Sequence, residues 1–99
     1  MKGKVVFITG ASSGIGEGCA RKFASEGSDL ILNARNVGKL EALKSELEQK
    51  YGVRVLLLPF DVRDRKAASE ALASLSGRWK DIDVLINNAA VFSTLKMKP

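Results

Sequence analysis

The sequence predicts an α/β fold in three layers: a parallel sheet of four strands in the order 3-2-1-4, covered by three helices. Two observations carry this. Short apolar runs recur along the chain without polar alternation, as in strands buried on both faces. Between them lie segments whose apolar residues repeat at three- and four-residue steps, the mark of one helix face. No linker, low-complexity stretch or internal repeat breaks the order β-α-β-α-β-α-β.

Val5-Val6-Phe7-Ile8 is the first strand, ending at Thr9-Gly10. From Ile15 to about Glu26 a helix is predicted, with Ile15, Cys19 and Phe23 recurring every fourth residue and Ala20 and Ala24 beside them. Gly27 is its C-terminal cap. Leu30-Ile31-Leu32 is the second strand. Asn36 is placed to cap a second helix that buries Leu40, Leu43 and Leu47 and stops at Gly52, with Glu46 and Lys50 as an i,i+4 pair on its outer side. Val53 to Phe60 is the third strand. Pro59 within it cannot donate to a ladder, which assigns this strand to a sheet edge. Asp64 caps a third helix with Ala68, Leu72, Leu75 and Trp79 turned inward, and Asp83-Val84-Leu85-Ile86-Asn87 is the fourth strand.

Right-handed crossovers put the first two helices on one face while strands 1, 2 and 3 step in one direction. Strand 3 is then the edge that Pro59 requires. The third helix must cross back on the opposite face to bring strand 4 beside strand 1. The order reverses between strands 1 and 4, and ligands of such sheets bind there, outside the carboxyl ends of the strands.

Composition excludes several functions. A single cysteine forms no internal disulfide, and with no histidine the usual zinc sets and every histidine-based triad are excluded. The basic start carries an apolar run too short for a signal peptide, and no stretch approaches the roughly 20 apolar residues of a spanning helix. These features point to a cytoplasmic protein that does not engage a membrane. The net charge of +5 is spread evenly over both halves of the chain, and only Arg63-Asp64-Arg65-Lys66 is locally dense, so a nucleic-acid surface is not expected.

The chemistry lies in Thr9-Gly10-Ala11-Ser12-Ser13-Gly14-Ile15-Gly16, at the first strand-to-helix turn. Gly10 permits a sharp turn. Gly14 removes a side chain where the backbone would approach a pyrophosphate, and Gly16 allows the helix to pack closely on the sheet. Backbone N–H groups and the positive helix end then face an anion. The spacing is GxxxGxG rather than the GxGxxG of the usual dinucleotide fingerprint. At the end of strand 2 stand Asn33-Ala34-Arg35-Asn36, with no acid to hold a ribose 2′-hydroxyl and an arginine suited to a 2′-phosphate. NADP is therefore expected over NAD, with Arg35 reading the phosphate and Asn33 or Asn36 assisting.

Together with Asp61-Val62 after strand 3 and Asn87-Asn88-Ala89-Ala90 after strand 4, the glycine turn resembles the short-chain dehydrogenases/reductases over residues 4 to 90. Within that family the pattern is most similar to bacterial NADP-dependent reductases of 3-hydroxy acids such as serine. The resemblance implies a Rossmann-type fold and a dinucleotide partner. It implies that Gly10 through Ile15 wrap the pyrophosphate and adjoining ribose, and that Asp61 accepts a hydrogen bond from the adenine amino group beside the Val62 backbone. It further implies that Asn88, with Ala89 and Ala90, ties strand 4 to the sheet and borders the cofactor; Ala90 stands where the family usually has glycine.

The family's hydride chemistry uses a tyrosine, a lysine four residues later and a serine. The only tyrosine here is Tyr51, with Val55 four residues on, and it reads as a packing residue; Cys19 reads as a packed thiol. No catalytic residue is expected. The resemblance thus implies a truncated Rossmann domain at 1–90, followed by a tail at 91–99 outside the family pattern. The chain is expected to be the NADP(H)-binding half of an oxidoreductase, inactive alone and binding its dinucleotide weakly. The alternative is a non-catalytic nucleotide-binding or self-associating module derived from a reductase. In either case the apolar edge of strand 4 and a sheet face covered by one helix are expected to drive homo-oligomer formation.

Overall fold

A computed structural model describes residues 2–88, so Ala89, Ala90 and the 91–99 tail lie outside the described residues. The elements are β1 (Val5–Thr9), α1 (Gly14–Ser25), β2 (Asp29–Ala34), α2 (Gly38–Tyr51), β3 (Val55–Pro59), α3 (Arg65–Ala73), a 3₁₀ turn at Gly77–Lys80 and β4 (Val84–Asn87). The four strands form one parallel sheet in the order β3-β2-β1-β4, as the crossover argument requires. Pro59 ends the edge strand β3, opposite Ala34.

The two central strands are buried along their whole length, which explains their unalternating apolar sequences. Side chains still alternate in direction, and each face has its own core. Val6, Ile8, Leu30 and Leu32 meet Ala20 and Ala24 of α1 and Leu40, Leu43 and Leu47 of α2. Val5, Phe7 and Ile31 face the other way, toward Leu58, Phe60 and Leu75. There Phe7 and Phe60 pack edge to face, with centroids 6.4 Å apart.

Several sequence-based expectations need correction. Ile15 is 73% exposed rather than part of the core stripe of α1. The stripe that meets the sheet is Gly16, Ala20 and Ala24, whose small side chains let helix and sheet approach; Ile15 sits one step around the helix, in the first turn, where it lines a cleft instead of the core. Leu72 is also exposed, and α3 rests on the sheet through Ala67, Ala68 and Ala71. Glu46 does not pair with Lys50. It accepts from Arg21 of α1, which also donates to Glu17 at 3.0 and 2.8 Å, so the charges tie α1 to α2. Lys50 lies over the Tyr51 ring, and Tyr51 packs against the first core at the end of α2.

The caps follow the sequence closely. Asp64 accepts from the Ala67 N–H at 3.0 Å at the start of α3, and the Gly27 N–H donates to the Ala24 carbonyl to close α1. Asn36 acts one residue before the cap of α2, accepting from the Gly38 N–H at 2.8 Å. At the amino end of the sheet, Asp29 is held by the Arg54 N–H and by Arg78, which reaches across from the 3₁₀ turn and also donates to the Gly3 carbonyl.

Candidate functional site

The carboxyl ends of β1, β2 and β3 open on a cleft of about 680 Å³. Its floor and one wall come from the β1–α1 turn, where Gly10 (φ +62°) reverses the chain in a conformation that disfavours a side chain. The Ser13 hydroxyl accepts from the Gly16 N–H at 3.1 Å, and the Ser13 carbonyl accepts from the Glu17 N–H. With these two amides of the first turn satisfied, the Gly14 and Ile15 N–H groups have no hydrogen-bond partner among the described residues. They lie at the positive end of α1, the arrangement that suits an anion.

Gly16 is where helix and turn come closest. A Cβ there would stand 2.4 Å from the Gly10 carbonyl oxygen and 2.8 Å from Ala11 Cα, whereas one on Gly14 would meet nothing within 4 Å. Ala11 is fully buried beneath the turn, its N–H donating to the Asn33 carbonyl at 2.8 Å. Asn88, just past β4, donates through Nδ2 to the Gly10 carbonyl at 3.0 Å and to Ser13 Oγ at 2.8 Å. It thereby locks the turn to the switch point, and it lines the cleft with Ser12, Ser13 and Ile15.

The far wall comes from the ends of β2 and β3: Ala34, Arg35, Phe60, Asp61, Val62 and Arg63. Asn33 reaches this region but is 1% exposed, and both hydrogens of its amide are engaged, donating at 3.0 Å to the Leu58 and Phe60 carbonyls. It splices β2 to β3, and of the two asparagines offered beside Arg35, Asn36 is the exposed one. Arg35 is exposed and makes no ion pair or hydrogen bond among the described residues.

Asp61 is gripped by Arg63. Nε and Nη2 of Arg63 reach its two carboxylate oxygens at 3.1 and 2.8 Å, and the Arg63 backbone N–H adds a third bond at 2.9 Å. These hydrogen bonds, with smaller help from the charge of Arg35, hold the Asp61 carboxyl down to about 2. Arg63 is the cleft residue that sequence reasoning missed, because it stood in a run read as solvated surface. Its spacing, two residues past an acid at a strand end, was the available signal.

A parallel sheet whose first strand runs through a glycine turn into a capped helix, with a cleft at its reversal point, defines a Rossmann-like fold. The family model for short chain dehydrogenases matches residues 4–99, extending past Ala90, and the chain belongs to that family. It is 46% identical over 87 residues to an NADP-dependent 3-hydroxy acid dehydrogenase of Salmonella typhi, covering 88% of this chain and 34% of that protein. It is 47% identical over 92 residues to the NADP-dependent 3-hydroxy acid dehydrogenase of Schizosaccharomyces pombe, covering 92% and 36%. Among solved structures, L-sorbose reductase from Gluconobacter frateurii, complexed with NADPH and L-sorbose, superposes with a TM-score of 0.83 at 38% identity, over 98% of this chain and 37% of that one. An alcohol dehydrogenase from the archaeon Thermococcus sibiricus, complexed with 5-hydroxy-NADP, gives 0.77 at 43% identity, over 83% and 35%. The chain thus spans about a third of the length of the relatives it matches. No helix among the described residues is long and apolar enough to cross a membrane.

Proposed function

We propose that the cleft binds NADP(H), and that the chain contributes the cofactor-binding part of a short-chain reductase of hydroxy and carbonyl compounds. The observation that carries this is one cleft that holds both the β1–α1 turn, where α1 begins with two amides unpartnered among the described residues, and Arg35, which makes no ion pair there. Such a cleft offers two separate anion positions, as a pyrophosphate and a 2′-phosphate require. The turn from Gly10 to Ile15 holds the pyrophosphate, with Gly16 fixing the distance between helix and turn. Arg35 pairs with the 2′-phosphate through its planar fork, assisted by the side-chain amide of Asn36. One oxygen of Asp61 retains acceptor capacity beside its Arg63 bonds, enough for the adenine amino group, with Val62 against the base. Asn88 borders the nicotinamide side; the parts given to Ala89 and Ala90 belong to the same proposal.

The nicotinamide supplies the hydride chemistry when bound. The residues here bind and orient. With Tyr51 packed at the other end of the sheet and no Tyr-x-x-x-Lys pair in the chain, these residues are proposed not to turn over a carbonyl alone, and to hold the dinucleotide weakly. Calorimetric titration of the chain with NADP⁺ and NAD⁺ tests the reading. NADP⁺ binds more tightly, and Arg35→Ala removes most of the difference, about 10- to 100-fold for a charge-assisted contact. Equal affinities in the unsubstituted chain would refute it.

A second reading, self-association, is favoured by one observation. Leu85 on β4 is 47% exposed on the sheet face that α3 covers, and β4 lies at the edge of the sheet among the described residues. We infer that a second copy covers this edge. Sedimentation velocity at micromolar concentration then shows a species heavier than a monomer; a monomer alone counts against it.

A further inference from the structure

We propose that Arg63 sets the preference of the cleft for a phosphorylated ribose by keeping the Asp61 carboxylate from engaging Arg35, an inference that rests on the dinucleotide reading above. Asp61 is the one acid among the described residues lining the cleft, and Arg35 lines the same cleft just past the end of the neighbouring strand, where Ala34 pairs with Pro59. A carboxylate in such a place has two consequences for an anionic ligand. It competes for the arginine that should read the phosphate, and it repels the phosphate itself.

Arg63 answers both. It lies two residues along the same loop and places three donors on the two carboxylate oxygens. The contact needs no long-range closure, and it satisfies the acid locally. The Asp61–Arg63 pair is then electrically neutral as a unit, and Arg35 stands as an unpaired cation on the wall. Arg63 is thus a positioning residue: it acts on the ligand through Asp61 and Arg35. The Asp61 oxygen with spare acceptor capacity remains available to an adenine amino group, so base recognition and phosphate preference are served by one fork.

The test uses the adenosine end alone. Titration calorimetry of the 99-residue chain with adenosine 2′,5′-bisphosphate and adenosine 5′-monophosphate gives a ratio of affinities that reports the 2′-phosphate, because both ligands share base and ribose. Arg63→Ala lowers this ratio up to about fivefold, the upper end for one solvent-facing charge pair. The double variant Arg63→Ala/Asp61→Asn restores it to within about twofold of the unsubstituted chain, since the acid no longer needs a partner. Arg63→Lys keeps most of the ratio.

An unchanged ratio in Arg63→Ala overturns the proposal. So does a lowered ratio that Asp61→Asn fails to restore, which would mean that Arg63 touches the phosphate itself. An unsubstituted chain with no preference for the bisphosphate overturns the dinucleotide reading first and the inference with it. Arg63 is solvent-facing, so unfolding midpoints of all variants stay close to that of the unsubstituted chain.

Discussion

Replacing Gly16 by alanine is a direct test of how the β1–α1 turn is built. The added Cβ would lie 2.4 Å from the Gly10 carbonyl oxygen, against the 3.0 Å that real Cβ atoms keep, so the two must part by about 0.6 Å. The second obstacle, Ala11 Cα at 2.8 Å, is also backbone, and no side chain can swing aside to make room. The displaced carbonyl accepts from the Ser13 N–H, the Ser13 hydroxyl and Asn88 Nδ2, so moving it weakens up to three hydrogen bonds. At about 1 kcal/mol each, together with overpacking, the cost is about 3–4 kcal/mol. Helix propensity returns about 1 kcal/mol of this, leaving a net loss of about 2–3 kcal/mol. Gly18, two residues along the same helix, is the control: a Cβ there meets nothing within 4 Å, and Gly18→Ala gains about 0.5–1 kcal/mol. The two alanine variants therefore differ by about 3 kcal/mol, or more than about 10 °C in midpoint for a chain this short. Urea unfolding followed by far-ultraviolet circular dichroism, with unchanged slopes, measures the difference. Equal stability of the two variants would refute the packing argument.

Three further outcomes follow from other sites. Asn33→Asp sets a carboxylate against the Leu58 and Phe60 carbonyls in a fully buried position, and costs about 3–5 kcal/mol at neutral pH. Burial raises the new carboxyl's value in the folded state, so its deficit in unfolding experiments is smaller at pH 5 than at pH 8. In the unsubstituted chain, nuclear magnetic resonance titration of Asp61 gives a midpoint near the value of about 2 set by Arg63, and Arg63→Ala moves it up toward the usual carboxylate range. Because the folded value is the lower one, the stabilisation from this pair is complete above about pH 4 and is lost as the pH falls toward 2; a midpoint that Arg63→Ala leaves in place contradicts this. Arg78→Ala strips Asp29 of its 2.8 Å ion pair and the Gly3 carbonyl of its donor, and lowers stability by about 1–3 kcal/mol in urea unfolding, with nucleotide affinity unchanged because these groups lie at the opposite end of the sheet from the cleft.

Much of the fold was legible because its signals are local. A buried parallel strand must be apolar on both faces, and Val5–Ile8 and Leu30–Leu32 are. Pro59 excludes its strand from the sheet interior whatever the neighbours, and that one residue with right-handed crossovers leads to the observed order. Of the cleft, the glycine turn and Arg35 were identified from the residues at the strand ends, and Asp61 and Asn88 from the family resemblance; residues of all four line it.

What the chain by itself determined is therefore its periodicity, its caps and its turn chemistry, each a property of residues within one helical turn or strand of one another. Only the tertiary structure decided which apolar residue of α1 faces the sheet, since Ile15 and Gly16 differ by one step around a helix and only the position of the sheet tells them apart. It decided that Asn33 joins two strands while the neighbouring Arg35 faces the cleft, because a side chain's partners depend on carbonyls 25 and 27 residues away. It also decided that Glu46 pairs with Arg21 rather than with Lys50 on its own helix. Contacts between elements depend on how those elements are brought together, and a repeat pattern read along one segment carries no record of that.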